Sequence, residues 1–229
     1  MKAAVYAGTK NLYSDMVTAA KSLAKNSGVD IIYFLIESDK FPHYIPSYVK
    51  VINVSDQTYF PSGGPNVYKL WTYMTLMRCV LTKYFSELDK ILWLDVDTVV
   101  QDNIDELWDL DMSDYYFAGC PEPKKSIEQP YINAGVMMIN LKKLREDKMD
   151  DALIDALNTK TYEFADQDCI NDICQNKILL IPSTYNANDY TEPCKDPKIR
   201  HFAAEKNWRE KTILYQYRNK NWNEMRPTM

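Results

Sequence analysis

Hydrophobic positions along the chain fall into short apolar runs separated by stretches of helical spacing, and this alternation predicts an α/β domain. Ala3 to Ala7 reads as a strand, followed by the turn-rich Gly8-Thr9-Lys10-Asn11. Met16, Ala19, Ala20, Leu23 and Ala24 then share one helical face, and Asn26-Ser27-Gly28 supplies a stop. Ile31 to Ile36 is almost wholly apolar, as a parallel strand buried on both faces should be. Val49 to Val54 predicts a third strand, Tyr59 to Pro65 a loop, and Asn66 to Tyr84 a helix whose stripe is Leu70, Met74, Met77 and Leu81. Lys90 to Leu94 is a buried strand, Ile104 to Leu107 a helical turn, and Tyr115 to Gly119 another strand. Residues 120 to 130, with three prolines and mixed charge, read as a mobile surface loop. Gly135 to Leu141 is apolar again, a helix is expected near Lys142 to Leu157, and another covers Cys169 to Cys174. Strands alternating with helices imply one domain over 1–229, a Rossmann-like, mostly parallel sheet flanked by helices.

Composition narrows the classes. At 46% hydrophobic and 26% charged, 229 residues can bury one sizeable core. A net charge of −5 argues against a general electrostatic grip on nucleic acid. No apolar run approaches the roughly 18 residues of a membrane span, and MKAAVYAGTKNLY breaks too early for a signal peptide. The five cysteines are odd in number and form no Cys-x-x-Cys pair, which disfavours a zinc knot or a disulfide framework and fits a reducing cytoplasm. Trp208 to Met229 reads as a C-terminal extension. It mixes Arg209, Lys211, Arg218, Lys220 and Arg226 with Tyr215, Tyr217 and Trp222, which suits a solvated helix better than weak peripheral contact with an anionic membrane.

The chemistry begins where the strand Ile91-Leu92-Trp93-Leu94 runs into Asp95-Val96-Asp97. Ligands of open α/β sheets bind beyond the carboxyl ends of the strands, so two carboxylates emerging there suit a divalent cation carrying phosphate. Three later clusters are candidates to join them. Asn133-Ala134-Gly135 opens a strand with small residues that let backbone approach a ligand. Asp166-Gln167-Asp168 precedes a helix, where acids can equally serve as caps. His201, after the strand-like Ile199, is a candidate nitrogen ligand, whereas His43 lies in a Pro-flanked polar loop.

In this order the clusters resemble glycosyltransferase family 8, whose members include glycogenin and bacterial lipopolysaccharide galactosyltransferases. The matching pieces are the opening strand-turn-helix with Thr9, Asn11 and Tyr13, Lys69 in VYKLWTYM, then LDVDTVV, NAGVMMINL, ADQDCIN and HFAAEKNW. The resemblance implies a GT-A fold and retaining transfer of a hexose, glucose or galactose, from a UDP-sugar to a glycan or other hydroxyl acceptor. It implies Mn²⁺, with Mg²⁺ as the alternative, on Asp95, Asp97 and His201. Ala7, Thr9, Asn11 and Tyr13 would line the uridine pocket, with Val96 grouped among the donor-binding residues. Lys69, Asn133, Ala134, Asp166 and Gln167 would surround the donor sugar, Asp168 completing the catalytic cluster, and Lys206 would reach the pyrophosphate. Ala204 stands where the family has a glycine, Lys206 follows His201 one residue early, and Asn207 replaces a proline. Two alternatives remain at this point. Asp95-x-Asp97-x-Val99 also fits the nucleophile motif of haloacid-dehalogenase phosphatases, although about 90 residues precede it here. A non-catalytic nucleotide-sugar-binding module on the same fold is the other.

Overall fold

The computed structural model describes residues 1–42, 44–68, 72–125 and 129–212. In chain order its elements are β1 (Ala3–Gly8), α1 (Tyr13–Asn26), β2 (Ile31–Ile36), β3 (Val49–Asn53), α2 (Tyr73–Leu76), β4 (Lys90–Leu94), β5 (Thr98–Val100), β6 (Phe117–Pro121), β7 (Ile132–Asn140), α3 (Leu141–Glu146), α4 (Met149–Thr159), α5 (Ala165–Ile173), β8 (Ile178–Leu180) and β9 (Ile199–His201). Seven strands form one sheet in the order β3-β2-β1-β4-β7-β6-β8, and β5 pairs with β9 in a separate two-stranded ribbon. All the sheet's strands run parallel except β7, which is antiparallel to both its neighbours.

Strand pleating divides the core in two. Ala3, Val5, Ile91, Trp93, Met137 and Ile139 face one layer, which α3, α4 and α5 cover. Ala4, Tyr6, Leu92, Leu94, Val136 and Met138 face the other, which α1 and the Ile104–Trp108 stretch cover. Large side chains such as Phe34, Trp93 and Phe117 are fully enclosed, and each is worth about 1.5–3 kcal/mol of hydrophobic burial. Helix α1 buries Met16, Ala19, Ala20 and Leu23, as its spacing predicts. It also fastens β5, since Ser22 Oγ accepts from Val100 N–H at 3.0 Å and Asn26 Nδ2 donates to Val100 O at 2.7 Å.

Four expectations change. The helix over Asn66–Tyr84 contracts to α2 and two 3-10 turns at Met77–Cys79 and Leu81–Lys83. Thr72 caps α2, the Asn66 side chain is held by Leu157 and Lys160 carbonyls at 2.7 Å, and the backbone leaves helical geometry at Val80. The helix over Lys142–Leu157 is two helices, broken at left-handed Lys148 (φ 54°) so that Asp150 can meet Thr82 and Lys83. Helix α5 starts at Ala165, which puts Asp166, Gln167 and Asp168 inside its first turn. Residues 120 and 121 belong to β6, and Glu122 beyond them is buried; their part of the expected loop is core structure. Lys69, Leu70, His43 and the tail from 213 onward lie outside the described residues, while 208–212 are helical.

Candidate active site

The reversed strand builds the site. Because β7 runs against β4, its first residues lie beside the last residues of β4, with Leu94 opposite Val136. Asp95 N–H continues the ladder to Gly135 O at 2.8 Å. A tight turn follows, in which Thr98 Oγ1 donates to Asp95 O at 2.7 Å, and β5 leads away with Thr98 opposite His201 of β9. Phe202 N–H then donates to Asp97 O at 3.0 Å. The ribbon thus carries a residue from roughly a hundred positions further along the chain onto the aspartate turn.

Asp95, Asp97 and His201 each offer one ligand atom, and the three atoms lie within 4.8 Å of one another. Nε2 of His201 is 3.2 Å from Asp97 Oδ1 and 3.9 Å from Asp95 Oδ2. Two carboxylates and one imidazole make a borderline-hard donor set that fits Mn²⁺ or Mg²⁺. The imidazole packs closely against Gly135, where an added Cβ would lie 2.1 Å from Cε1. The small step expected to admit a ligand therefore makes room for the metal-ligand candidate itself. Burial works against charge on both partners, but their mutual attraction wins: Asp97 is held below the usual carboxylate range and His201 above the ordinary histidine value.

Behind this trio sits Arg78, which the sequence reading did not single out. It is 3% exposed, stacks on the Trp93 ring at 4.6 Å, and bonds to Asp95 at 3.0 Å, Asp166 at 2.8 Å and the Ala134 carbonyl. Burial pushes the Asp166 carboxyl up to about 6 although the guanidinium opposes the shift. Gln167 is held from all sides: Oε1 accepts from Ala134 N–H at 2.9 Å, while Nε2 donates to Glu122 at 3.3 Å and to the Tyr131 hydroxyl at 3.1 Å. Asn133 donates to the same Glu122 carboxylate at 2.6 Å.

Two cavities meet at the aspartates. One, of about 520 Å³, is lined by Ala7, Thr9, Asn11, Val96 and Trp208. The other, of about 290 Å³, is lined by Asn133, Ala134, Asp166, Gln167, His201 and Glu122. Asp95, Asp97 and Arg78 border both. The structure therefore gathers most of the candidate residues. Tyr13 is instead buried against Phe41, its hydroxyl accepting from Glu37 N–H at 3.2 Å. Asp168 faces a third depression with Gln129, Tyr131 and Gln175, and its oxygens accept from the Tyr131 hydroxyl and from Phe164 N–H. Lys206 is exposed and borders neither of the two joined cavities. Ala204 adopts φ 58°, a left-handed backbone conformation that favours glycine.

Residues 5–225 match the family model described as glycosyl transferase family 8. Glycosyltransferase GlyA of Streptococcus pneumoniae serotype 4 is 26% identical over 98% of this chain and 36% of its own length. A lipopolysaccharide 1,2-glucosyltransferase of Escherichia coli is 29% identical over 51% of this chain and 40% of its own. The chain spans between 24% and 40% of the length of the first curated relatives it matches. Among solved structures, galactosyltransferase LgtC in complex with donor and acceptor sugar analogues superposes with a TM-score of 0.69 at 21% identity, over 93% of this chain and 95% of that one. GlyE of Streptococcus pneumoniae TIGR4 gives 0.71 at 21% identity, over 97% of this chain and 63% of that one.

Proposed function

The chain belongs to glycosyl transferase family 8 and has the GT-A fold, and on that premise we propose that it transfers a hexose, glucose or galactose, from a UDP-sugar to a glycan with retention at the anomeric carbon. One observation carries the reading: the paired aspartates stand at the junction of the two cavities. A diphosphate belongs at such a junction, with the nucleoside in the larger chamber among Ala7, Thr9, Asn11 and Val96 and the sugar in the smaller beside Asn133, Ala134 and Gln167. Trp208 would cover the nucleoside, and Lys206 would close on the phosphates from the same segment. Lys69 is proposed for the sugar side by the family resemblance alone.

Asp95, Asp97 and His201 would hold Mn²⁺. The ion's chemistry there is neutralisation of the negative charge that grows on the leaving diphosphate. Arg78 places a buried positive charge at the same junction and keeps Asp95 and Asp166 fixed. As the bond from C1 to the leaving oxygen breaks, the sugar gains oxocarbenium character and calls for electron-rich neighbours. Gln167 suits that need. Its amide hydrogens are committed to Glu122 and Tyr131, so only a carbonyl lone pair remains to face substrate. Asp166 adds negative charge where it is ionised. Asp168 supports Gln167 through Tyr131 rather than by touching the sugar. The acceptor hydroxyl would attack from the face the diphosphate leaves, the departing phosphate oxygen taking its proton. Phe164 and Tyr190 line the sugar-side cavity with 36% and 44% of their surface exposed, and such rings give pyranose faces an apolar seat.

Calorimetric titration of UDP with Mn²⁺ and then with EDTA tests the reading, followed by a panel of UDP-sugars assayed for UDP release. Metal-dependent binding that Asp97→Asn abolishes, with one sugar hydrolysed fastest, is the expected result. Binding without hydrolysis or transfer would favour a sugar-nucleotide-binding module, and phosphate release from an aryl phosphate without UDP would favour a phosphatase.

A further inference from the structure

The lone metal-ligand histidine is held by an arrangement of amides that the proposed reaction does not itself require. His201 is 3% exposed and its Nδ1 meets Asn186 Oδ1 at 2.8 Å. Asn186 is completely enclosed. An asparagine amide can normally turn over, presenting oxygen or nitrogen to a ring nitrogen, and each choice selects a different histidine tautomer. Here the choice is fixed from two directions. On one side, Asn133 Oδ1 accepts from Gly135 N–H at 3.0 Å, and a backbone N–H can only donate. Asn133 must therefore show its oxygen to Asn186, which answers with Nδ2 at 2.8 Å. Glu122, accepting from the other end of Asn133 at 2.6 Å, enforces the same direction. On the other side, Asn188 Oδ1 accepts from the N–H groups of Tyr190 at 2.8 Å and Thr191 at 3.2 Å, leaving its Nδ2 to donate to Asn186 Oδ1 at 3.1 Å. Turning Asn186 over would set oxygen against oxygen at Asn133 and nitrogen against nitrogen at Asn188.

We propose that Asn186 is a positioning residue for the cation site, locked by Asn133 and Asn188 so that neutral His201 carries its proton on Nδ1 and presents the Nε2 lone pair to the space shared with Asp95 and Asp97. The competing tautomer has its own attraction, because an Nε2 proton would find Asp97 at 3.2 Å. The amide lock removes that competitor. Ligands oriented in this way typically lose about 10–100-fold in metal affinity when the orienting partner is removed. Glu122 adds a link to the sugar side, since the carboxylate that aligns Asn133 also aligns Gln167. The inference rests on the metal reading of the trio, but the tautomer is a property of the metal-free protein and can be read without it.

The test is ¹⁵N NMR of the histidine side chains in metal-free protein at alkaline pH, joined to Mn²⁺ calorimetry. The chain has two histidines, His43 and His201, so a His43→Gln variant assigns the spectrum. The expected spectrum has the His201 proton on Nδ1, with Asn186→Leu showing mixed or Nε2-protonated imidazole and Mn²⁺ affinity about 10–100-fold weaker. Asn186→Asp, which keeps an acceptor toward Nδ1 but sets a carboxylate oxygen against Asn133 Oδ1, should hold the proton on Nδ1 with Mn²⁺ affinity between those of wild type and Asn186→Leu. An Nε2 proton in the wild type overturns the proposal without any variant, and so does a folded Asn186→Leu protein that keeps both tautomer and affinity. A wild type that binds no Mn²⁺ yet holds its proton on Nδ1 would remove the metal reading and uphold the lock.

Discussion

Gly135 and His201 occupy each other's space so closely that the smallest side chain settles the outcome. A Gly135→Ala Cβ would stand 2.1 Å from the imidazole, so the ring must leave the aspartates or β7 must move. The expected cost is about 1–3 kcal/mol of stability together with most of the Mn²⁺ affinity, read by denaturant unfolding and calorimetry. The same ring makes stability depend on pH in metal-free protein. Asp97 is lowered from 3.8, so its contribution is present above that value and fades as pH falls through its folded pKa. His201 is raised from 6.5, so its contribution is complete below that value and fades as pH rises through its folded pKa. The advantage of wild type over His201→Ala in EDTA should therefore be largest between pH 3.8 and 6.5 and shrink above. With saturating Mn²⁺ the trend reverses, because ion and proton compete for Nε2 and alkaline pH favours the ion. Melting temperature across pH, with and without metal, checks both limbs.

At the scale of elements, two short pieces carry more than their lengths suggest. The 3-10 turn at Met77–Cys79 supplies Arg78, which joins that turn to the segment just beyond β4, to β7 and to α5 through Asp95, the Ala134 carbonyl and Asp166. Arg78→Met strands a buried carboxylate and should cost about 3–5 kcal/mol, measured by urea unfolding. The break at Lys148 is the opposite case, a left-handed residue with no glycine to ease it. Lys148→Gly should be neutral to stabilising by up to about 1 kcal/mol, a rise of roughly 2–4 °C in Tm. These pieces also mark where the sequence was readable. The apolar runs of β1, β2 and β4 announced themselves, and Asp95 and Asp97 were visible because a buried strand ended on them. Arg78 was hidden, a cation inside an apolar stripe of Met74, Met77 and Leu81. Asn186 and Glu122 were hidden for another reason. Their meaning lies in partners distant along the chain, Asn186 reaching Asn133 across 53 residues, and no local spacing encodes that contact. The split of the expected long helix followed from side chains of Thr72 and Asn66 competing for backbone groups, which periodicity does not register.

Across the whole molecule, family membership and fold rest on nearly the full described chain, whereas the site rests on a few crossings between distant segments. Ion binding should therefore tie those segments together. Mn²⁺ at one hundred times its Kd is expected to add about 2.7 kcal/mol to global stability, and protection of β5 and β9 amides against hydrogen exchange should rise more than that of β3 at the far edge. A uniform change in protection, or one confined to β1, would place the ion elsewhere.

The β5–β9 ribbon has a consequence for biosynthesis. Asp95 and Asp97 leave the ribosome roughly a hundred residues before their third partner, and a nascent chain that has built most of its seven-stranded sheet still has only two carboxylates to offer a cation. If Asp95, Asp97 and His201 hold the ion as proposed, high affinity would arrive when residues 199–201 zip onto Thr98–Val100, so stalled chains of increasing length should acquire tight Mn²⁺ binding in one step as His201 becomes available. The ion would then register how far translation has gone, seated firmly only on chains translated through His201.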